Sequence, residues 1–230
     1  MTPEPVLVAP RPAGSAAGHS RPGRKQPQPG PATRGRVSPA AAVVGTLALV
    51  FSALYILSDV IEVLQGGFST GQLWLTLAAE AAIPLFVAGF AIMYRPRLGR
   101  LGQVSAWSYA YAYVVFTGTV VYALVNHIKD YQTLSDQLGA VMIIHGVVMV
   151  LAGLGFGYVV FRTRLFPAWT GLSLMVGVVL VAVAQGLPDG AQLAAAGVRD
   201  FAFASMGVVL LRAPLVAAAS LPDPGSAHRA

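Results

Sequence analysis

Six apolar stretches follow one another almost without interruption, over residues 39–64, 72–94, 103–127, 137–161, 167–187 and 192–211. Each is close to the ~20 residues that a helix needs to cross the hydrocarbon core of a bilayer. Their uniform length and short connectors do not suit a soluble helical core. None shows the period-2 alternation and spacing of a membrane β-barrel. The pattern predicts an all-α, polytopic membrane protein with six transmembrane helices. Composition agrees, because only 10% of the 230 residues are charged, against roughly 25% in soluble domains.

Domain boundaries follow from the same contrast. Residues 1–38 are rich in Pro, Gly, Ser and Ala, and carry Arg11, Arg21, Arg24, Lys25, Arg34 and Arg36 against the single acid Glu4. Nothing there can build a core, so a disordered basic arm is expected. A cleaved signal peptide would be shorter, with its apolar stretch nearer the N-terminus. The arm reads either as a holder of anionic lipid or simply as a determinant of topology. A six-helix domain is expected over 39–212, followed by a short disordered tail at 213–230.

Basic residues set the expected orientation. They precede the first span, lie between spans two and three (Arg95, Arg97, Arg100), and follow span four (Arg162, Arg164) and span six (Arg212, Arg229). The other side has only Lys129 and Arg199. Under the positive-inside rule this is an N-in, C-in arrangement. Heavy use of Ala, Gly, Pro and Arg with only two lysines points to a GC-rich bacterial genome, hence to a bacterial inner membrane.

Against this apolar background, four carboxylic acids stand out: Asp59, Glu62, Glu80 and Asp200. A charge at the bilayer centre costs from about 3 to more than 10 kcal/mol, so such residues are candidates for function. With the orientation above, Glu80 and Asp200 each lie about 12 Å inward from the outer ends of their helices, at 1.5 Å per residue. His145 falls at a similar depth, Tyr122 and Asn126 near the outer end of the third span, and Gln185 in the fifth. One polar layer in the outer half of the membrane is expected, shared by five or six helices. Tyr55, Asp59 and Glu62, spaced i, i+4, i+7, share one helical face. Tyr111, Gly118 and Tyr122 share a face of the third helix. Pro84, four residues after Glu80, removes the normal donor to the Glu80 carbonyl and is expected to kink the second helix.

Other patterns read as packing. The run Gly153-Leu154-Gly155-Phe156-Gly157 resembles a nucleotide-binding glycine loop but lies inside a membrane span, where a small-xxx-small contact is expected. Tyr109, Tyr113 and Phe116 form a stripe typical of core, and Trp74, Trp107 and Trp169 lie near span ends as interfacial anchors. Cysteine is absent, which excludes disulfides and thiolate chemistry. No metal-ligand spacing appears, nor an aspartate-rich motif of the kind that holds magnesium and a prenyl diphosphate; no cofactor is expected. The expected partners are the lipid bilayer and an apolar small molecule rather than nucleic acid, with oligomeric state left open.

A low-dielectric environment favours the neutral form of a carboxyl group, and a neutral carboxyl is a general acid. Aromatic faces stabilise a passing cation. Together these suit proton-initiated cyclisation of a prenyl chain. Ser58-Asp59-Val60-Ile61-Glu62, Leu73-Trp74 through Glu80-Ala81-Ala82-Ile83-Pro84, and Val198-Arg199-Asp200 carry a resemblance to the integral membrane terpene cyclases. That family includes the cyclases of fungal meroterpenoid pathways and of bacterial drimane-type indole-alkaloid pathways. The resemblance covers about residues 39–212, by position and surroundings rather than by a letter-by-letter motif, and the fungal members have an additional helix. It implies metal-free cyclisation of a prenylated substrate such as a farnesylated indole. The catalytic acids would be Glu80 and Asp200, joined by Asp59. Glu62, His145, Tyr55, Tyr122 and Asn126 would line the substrate. The same residues also permit a proton-coupled small-molecule transporter, although no inverted repeat or pair of broken helices is visible. A third possibility is a non-catalytic membrane partner protein whose acids are helix-packing groups.

Overall fold

The computed structural model describes residues 38–212; the expected arm, apart from Ser38, and the expected tail lie outside that range. All regular structure among the described residues is helical: α1 (Pro39–Gln65), α2 (Thr70–Met93), α3 (Arg95–Val125), α4 (Tyr131–Leu138), α5 (Ala140–Thr163), α6 (Ala168–Ala184) and α7 (Asp189–Arg212). Five of these, α1, α2, α3, α5 and α7, are long and apolar enough to cross a membrane, and α6 is a shorter apolar helix. The chain is therefore a multi-pass helical membrane protein. Helices suit hydrocarbon because they satisfy their own backbone polar groups.

Local chemistry fixes the helix ends. Ser38 caps α1 by accepting from the Ala41 N–H at 3.0 Å, with Pro39 at the first helical position. Ser69 caps α2 by accepting from the Gln72 N–H at 3.3 Å. Gly66, at φ 69°, ends α1 in the left-handed conformation that glycine adopts at low cost.

The third and fourth stretches are bounded differently from what was expected. The fourth apolar stretch does not begin a span at 137, because Gly139 (φ 44°, ψ −114°) breaks it into the short α4 and the long α5. The third begins earlier, at Arg95, with Gly99 (φ 63°) interrupting its first turns. Pro84 lies inside α2, which stays one helix from Thr70 to Met93.

The six apolar helices close into a ring. Each packs on the next in the order α1, α2, α3, α5, α6, α7, and α7 returns to α1. Close backbone approach makes the seams. A Cβ on Gly45 of α1 would meet the Gly207 carbonyl of α7, and a Cβ on Gly207 would meet the Gly45 carbonyl. Gly157 of α5 faces Gly171 of α6 in the same way. The glycine run of α5 is thus packing surface: Gly153 abuts Tyr109 and Val178, Gly155 abuts Ser105, and Gly157 abuts α6. Small residues have this role where lipid and side chain are equally apolar and only packing favours association.

Half of the ring's interior, the half away from α4, is filled by aromatic side chains. Phe51, Phe86, Phe90, Tyr109, Phe156 and Phe203 are fully buried. Phe203 meets Phe51, Phe86 and Tyr109 at centroid distances of 5.4, 5.6 and 6.2 Å, and Phe90 meets Phe156 at 5.5 Å. These are edge-on and stacked contacts of the favourable range. Trp74, Trp107 and Trp169 are exposed instead.

A Cβ on Gly171 would press into the backbone of Gly157 and Phe161, whereas one on Gly118 would meet nothing. Gly171→Val should therefore destabilise the purified protein by about 1–3 kcal/mol, the usual cost of overpacking. Gly118→Val should leave the thermal midpoint in detergent nearly unchanged.

Candidate functional site

The half of the ring nearest α4 is built differently. On α1, Tyr55, Ser58, Asp59 and Glu62 occupy one face at i, i+3, i+4 and i+7. Antiparallel α2 presents Gln72, Thr76 and Glu80 at i, i+4, i+8. Where the two faces meet, polar groups pair. The Gln72 Nε2 lies within donating distance of Ser58 Oγ (3.0 Å), Thr76 Oγ1 (3.0 Å) and Glu62 Oε2 (3.1 Å). The hydroxyls of Ser58 and Thr76 are also hydrogen-bonded to each other. Two turns deeper, the Tyr55 hydroxyl donates to Glu80 Oε1 at 3.0 Å. The other Glu80 oxygen, Oε2, is buried without a partner among the described residues.

From α7 comes a buried ion pair. The Arg199 Nε donates to Asp200 Oδ1 at 3.0 Å, with the two side chains 5% and 0% exposed. The guanidinium carbon lies 4.7 Å from the centroid of the Tyr55 ring, in cation–π geometry. One chain of contacts thus runs Asp200–Arg199–Tyr55–Glu80, across α7, α1 and α2. A Cβ on Gly177 of α6 would strike the backbone of Arg199, so α6 is pressed against α7 at this residue.

These groups surround a cavity of about 210 Å³. Its polar wall includes Tyr55, Asp59, Glu62, Gln72, Glu80 and Arg199. Tyr113 and Phe116 of α3 with Met142 and Met149 of α5 form the apolar wall, and Tyr131 and Leu134 bring α4 to the mouth. Helix α4 is capped by Asp130, whose Oδ1 accepts from the Thr133 N–H at 2.7 Å. Those hydrogen bonds hold the Asp130 carboxyl below its ordinary range. The aromatic half of the ring closes the other end. Tyr109 and Tyr113 mark the transition, with hydroxyls 3.4 Å apart and rings edge-on at 5.1 Å.

Of the residues expected to act in catalysis or line the substrate, the structure brings four together, Tyr55, Asp59, Glu62 and Glu80, and Gln185 of the expected polar layer lines the same cavity. Asp200 is buried beside them but stands behind Arg199 and is not among the described residues of the cavity wall. The acid that shares the cavity with Glu80 is Asp59. Tyr122, Asn126 and His145 lie elsewhere. Tyr122 donates to Gln137 Oε1 at 3.3 Å, and Asn126 Nδ2 donates to the Tyr122 carbonyl at 2.9 Å. His145 contacts the Val141 carbonyl at 2.8 Å and the Tyr111 hydroxyl at 3.1 Å. Rotation about the helix axis, which the sequence did not set, carries them away from the cavity. α3 turns Tyr109, Tyr113 and Val120 inward, so Tyr111 and Tyr122 face out.

Sequence reading did not pick Arg199 as a site residue and counted it among the charges on the outer side, although its place next to Asp200 also allowed the ion pair that the structure contains. Arg199 lies ten residues beyond the start of α7 at Asp189, about 15 Å along a helix, and is 4% exposed. That distance was the available signal. Ser58 and Thr76 were missed too; hydroxyls in an apolar span gave little to distinguish them. The site can hold a proton donor at Glu80, with a second carboxyl group at Asp59 and aromatic faces opposite.

No protein-family model matches this chain, and no curated protein or solved structure is significantly similar to it.

Breaking the buried pair on one side leaves a charge uncompensated, at a cost of about 3–5 kcal/mol, whereas replacing both partners by apolar residues is often neutral. Arg199→Met should lower the thermal midpoint of the purified protein strongly. Arg199→Met combined with Asp200→Leu should recover most of the loss; a double variant no more stable than the single one would contradict the pairing.

Proposed function

We propose that this chain is a membrane-bound terpene cyclase, which protonates an alkene or epoxide of a prenylated substrate and cyclises it without a metal. A farnesylated indole is the kind of substrate meant. The observation that carries the reading is Glu80. Its carboxyl group is 6% exposed, fixed at Oε1 by the Tyr55 hydroxyl and unpartnered at Oε2, on the wall of a cavity whose other side is aromatic and aliphatic.

In the proposed reaction a proton passes from the Glu80 carboxyl to the alkene carbon or epoxide oxygen. The π pair of the next double bond then forms the new C–C bond, moving the cation along the chain. Tyr55, Tyr113 and Phe116 offer ring faces to that cation. Loss of a proton to a carboxylate, for which Asp59 is positioned, ends the sequence. Atoms balance as an isomerisation. Asp200 acts through Arg199, holding the guanidinium against Tyr55, and so is a positioning residue in this scheme.

The proposed topology is six spans, N-in and C-in, in a bacterial inner membrane. α6, with 17 residues, is at the lower limit of spanning length, about 17–25 residues. The charge distribution supports this orientation more strongly than it first did. With Arg199 buried, Lys129 is the one Lys or Arg near the α4 end among the described residues, while Arg95, Arg97, Arg100, Arg162, Arg164 and Arg212 lie toward the other. A carrier needs a polar path through both halves of the membrane, and the aromatic filling of the far half favours an enzyme over a transporter.

Membranes containing the protein, incubated with farnesylated indoles and their epoxides, should yield a product of unchanged mass and shifted retention by mass spectrometry. Glu80→Gln, at equal membrane abundance, should reduce that product by about 10²–10⁴-fold, the range typical of a lost general acid. Absence of any isomer across a broad prenylated panel would favour a proton-coupled carrier instead.

A further inference from the structure

A second cavity, of about 510 Å³, lies beside the acid-lined one, between α3, α5 and α6. The two share Phe116, Tyr131, Met142, Met149, Val181, Gln185 and Arg199. Beyond those shared residues the second is chemically different. Its wall is built largely from Ile143, Val147, Leu151, Val178 and Ala182, with Gln132 and Ser135 of α4 adding polar groups. Ile143, Val147 and Leu151 are 69%, 54% and 65% exposed, so this cavity opens on the lipid-facing surface. Gly146 also lines it, and a Cβ there would meet open space.

Arg199, at the seam, and Glu80, on the first cavity's wall, have unmet polar atoms. Arg199 and Glu80 are both more than nine-tenths buried; Arg199 lines both cavities and Glu80 the first. The Arg199 Nη2 is a donor, and the Glu80 Oε2 an acceptor when ionised, without a partner among the described residues. Buried polar groups in membrane interiors normally find partners. A hydroxyl group can answer either, because its oxygen accepts and its proton donates; a bare hydrocarbon can answer neither. The wall beyond the seam offers the reverse, a surface suited to an apolar chain.

We infer that the two cavities are one bipartite site for an elongated amphiphile that enters from the bilayer. Its hydrogen-bonding end sits at Glu80 and Arg199, and its apolar chain lies in the second cavity along α5 and α6. This rests on the reading of the acid-lined cavity as a site for a prenylated molecule, but not on cyclisation.

The test uses the full chain in lipid nanodiscs and a fifteen-carbon prenyl alcohol bearing a diazirine at the end remote from its hydroxyl. Photolysis and peptide mapping should find adducts within residues 143–151 and 178–182. Excess farnesol should suppress them, and a hydrocarbon of equal length should not. Gly146→Phe should abolish them by filling the cavity, and Ala182→Phe does the same from the opposite wall should the first variant fail to fold. Adducts spread over exposed residues of every helix and unaffected by farnesol would mean ordinary lipid contact and overturn the inference. So would competed adducts confined to α1 and α2, since the chain would then lie in the acid-lined cavity. Competed labelling of α5 and α6 without a cyclised product from any substrate would leave the bipartite site standing and remove the cyclase reading. Cyclisation that survives a filled second cavity would do the reverse.

Discussion

Arg199 is the single cationic side chain buried inside the ring among the described residues, and the acidic cluster is arranged around it. A guanidinium in hydrocarbon is stable only if it is paired. Asp200 supplies the pairing carboxylate and Tyr55 a ring face. The Tyr55 hydroxyl then remains available to fix Glu80. In this way a charge on α7 determines where a carboxyl on α2 is held, through a side chain of α1. The glycine seams matter for the same reason. Gly45 with Gly207 brings α1 against α7, and Gly177 brings α6 against Arg199, close enough for these contacts to form.

The interior is divided in two. Six large aromatic side chains close one half, and the cavity with its carboxyl groups occupies the other. A one-ended chamber suits a reaction whose cationic intermediates must be shielded from water. It does not suit passage of a solute from one side to the other. The apolar cavity between α3, α5 and α6 adds a side opening toward lipid, where an apolar molecule is already dissolved.

Fold class was legible in the sequence because span length is a direct consequence of bilayer thickness. Position along the helix was legible too: Glu80 and Asp200 lie ten and eleven residues from the starts of α2 and α7, which run the same way, and both are buried. Rotation about the helix axis was not. Each residue turns the side chain by about 100°, and a helix apolar all round gives no moment to orient it. Thus α3 carries tyrosines on two faces, and only packing decides that Tyr113 lines the cavity while Tyr111 does not. His145 and Tyr122, expected beside the acids, do not line the cavity. Gly139 was unremarkable in sequence, yet its backbone conformation separates α4 from α5. The expected pairing of Glu80 with Asp200 becomes, in the cavity, a pairing of Glu80 with Asp59.

The central claim is that water reaches the polar cavity from the α4 end and not through the aromatic half of the ring. The chain contains no cysteine, so single cysteines can be introduced without background and reacted with a membrane-impermeant thiol reagent from either side. Positions on the cavity wall, Thr76, Val120 and Leu193, should react from the α4 side only, while Phe86 and Met206, in the aromatic half, should react from neither. Labelling of Phe86→Cys or Met206→Cys from the opposite side would reveal a continuous path through the ring and contradict the account.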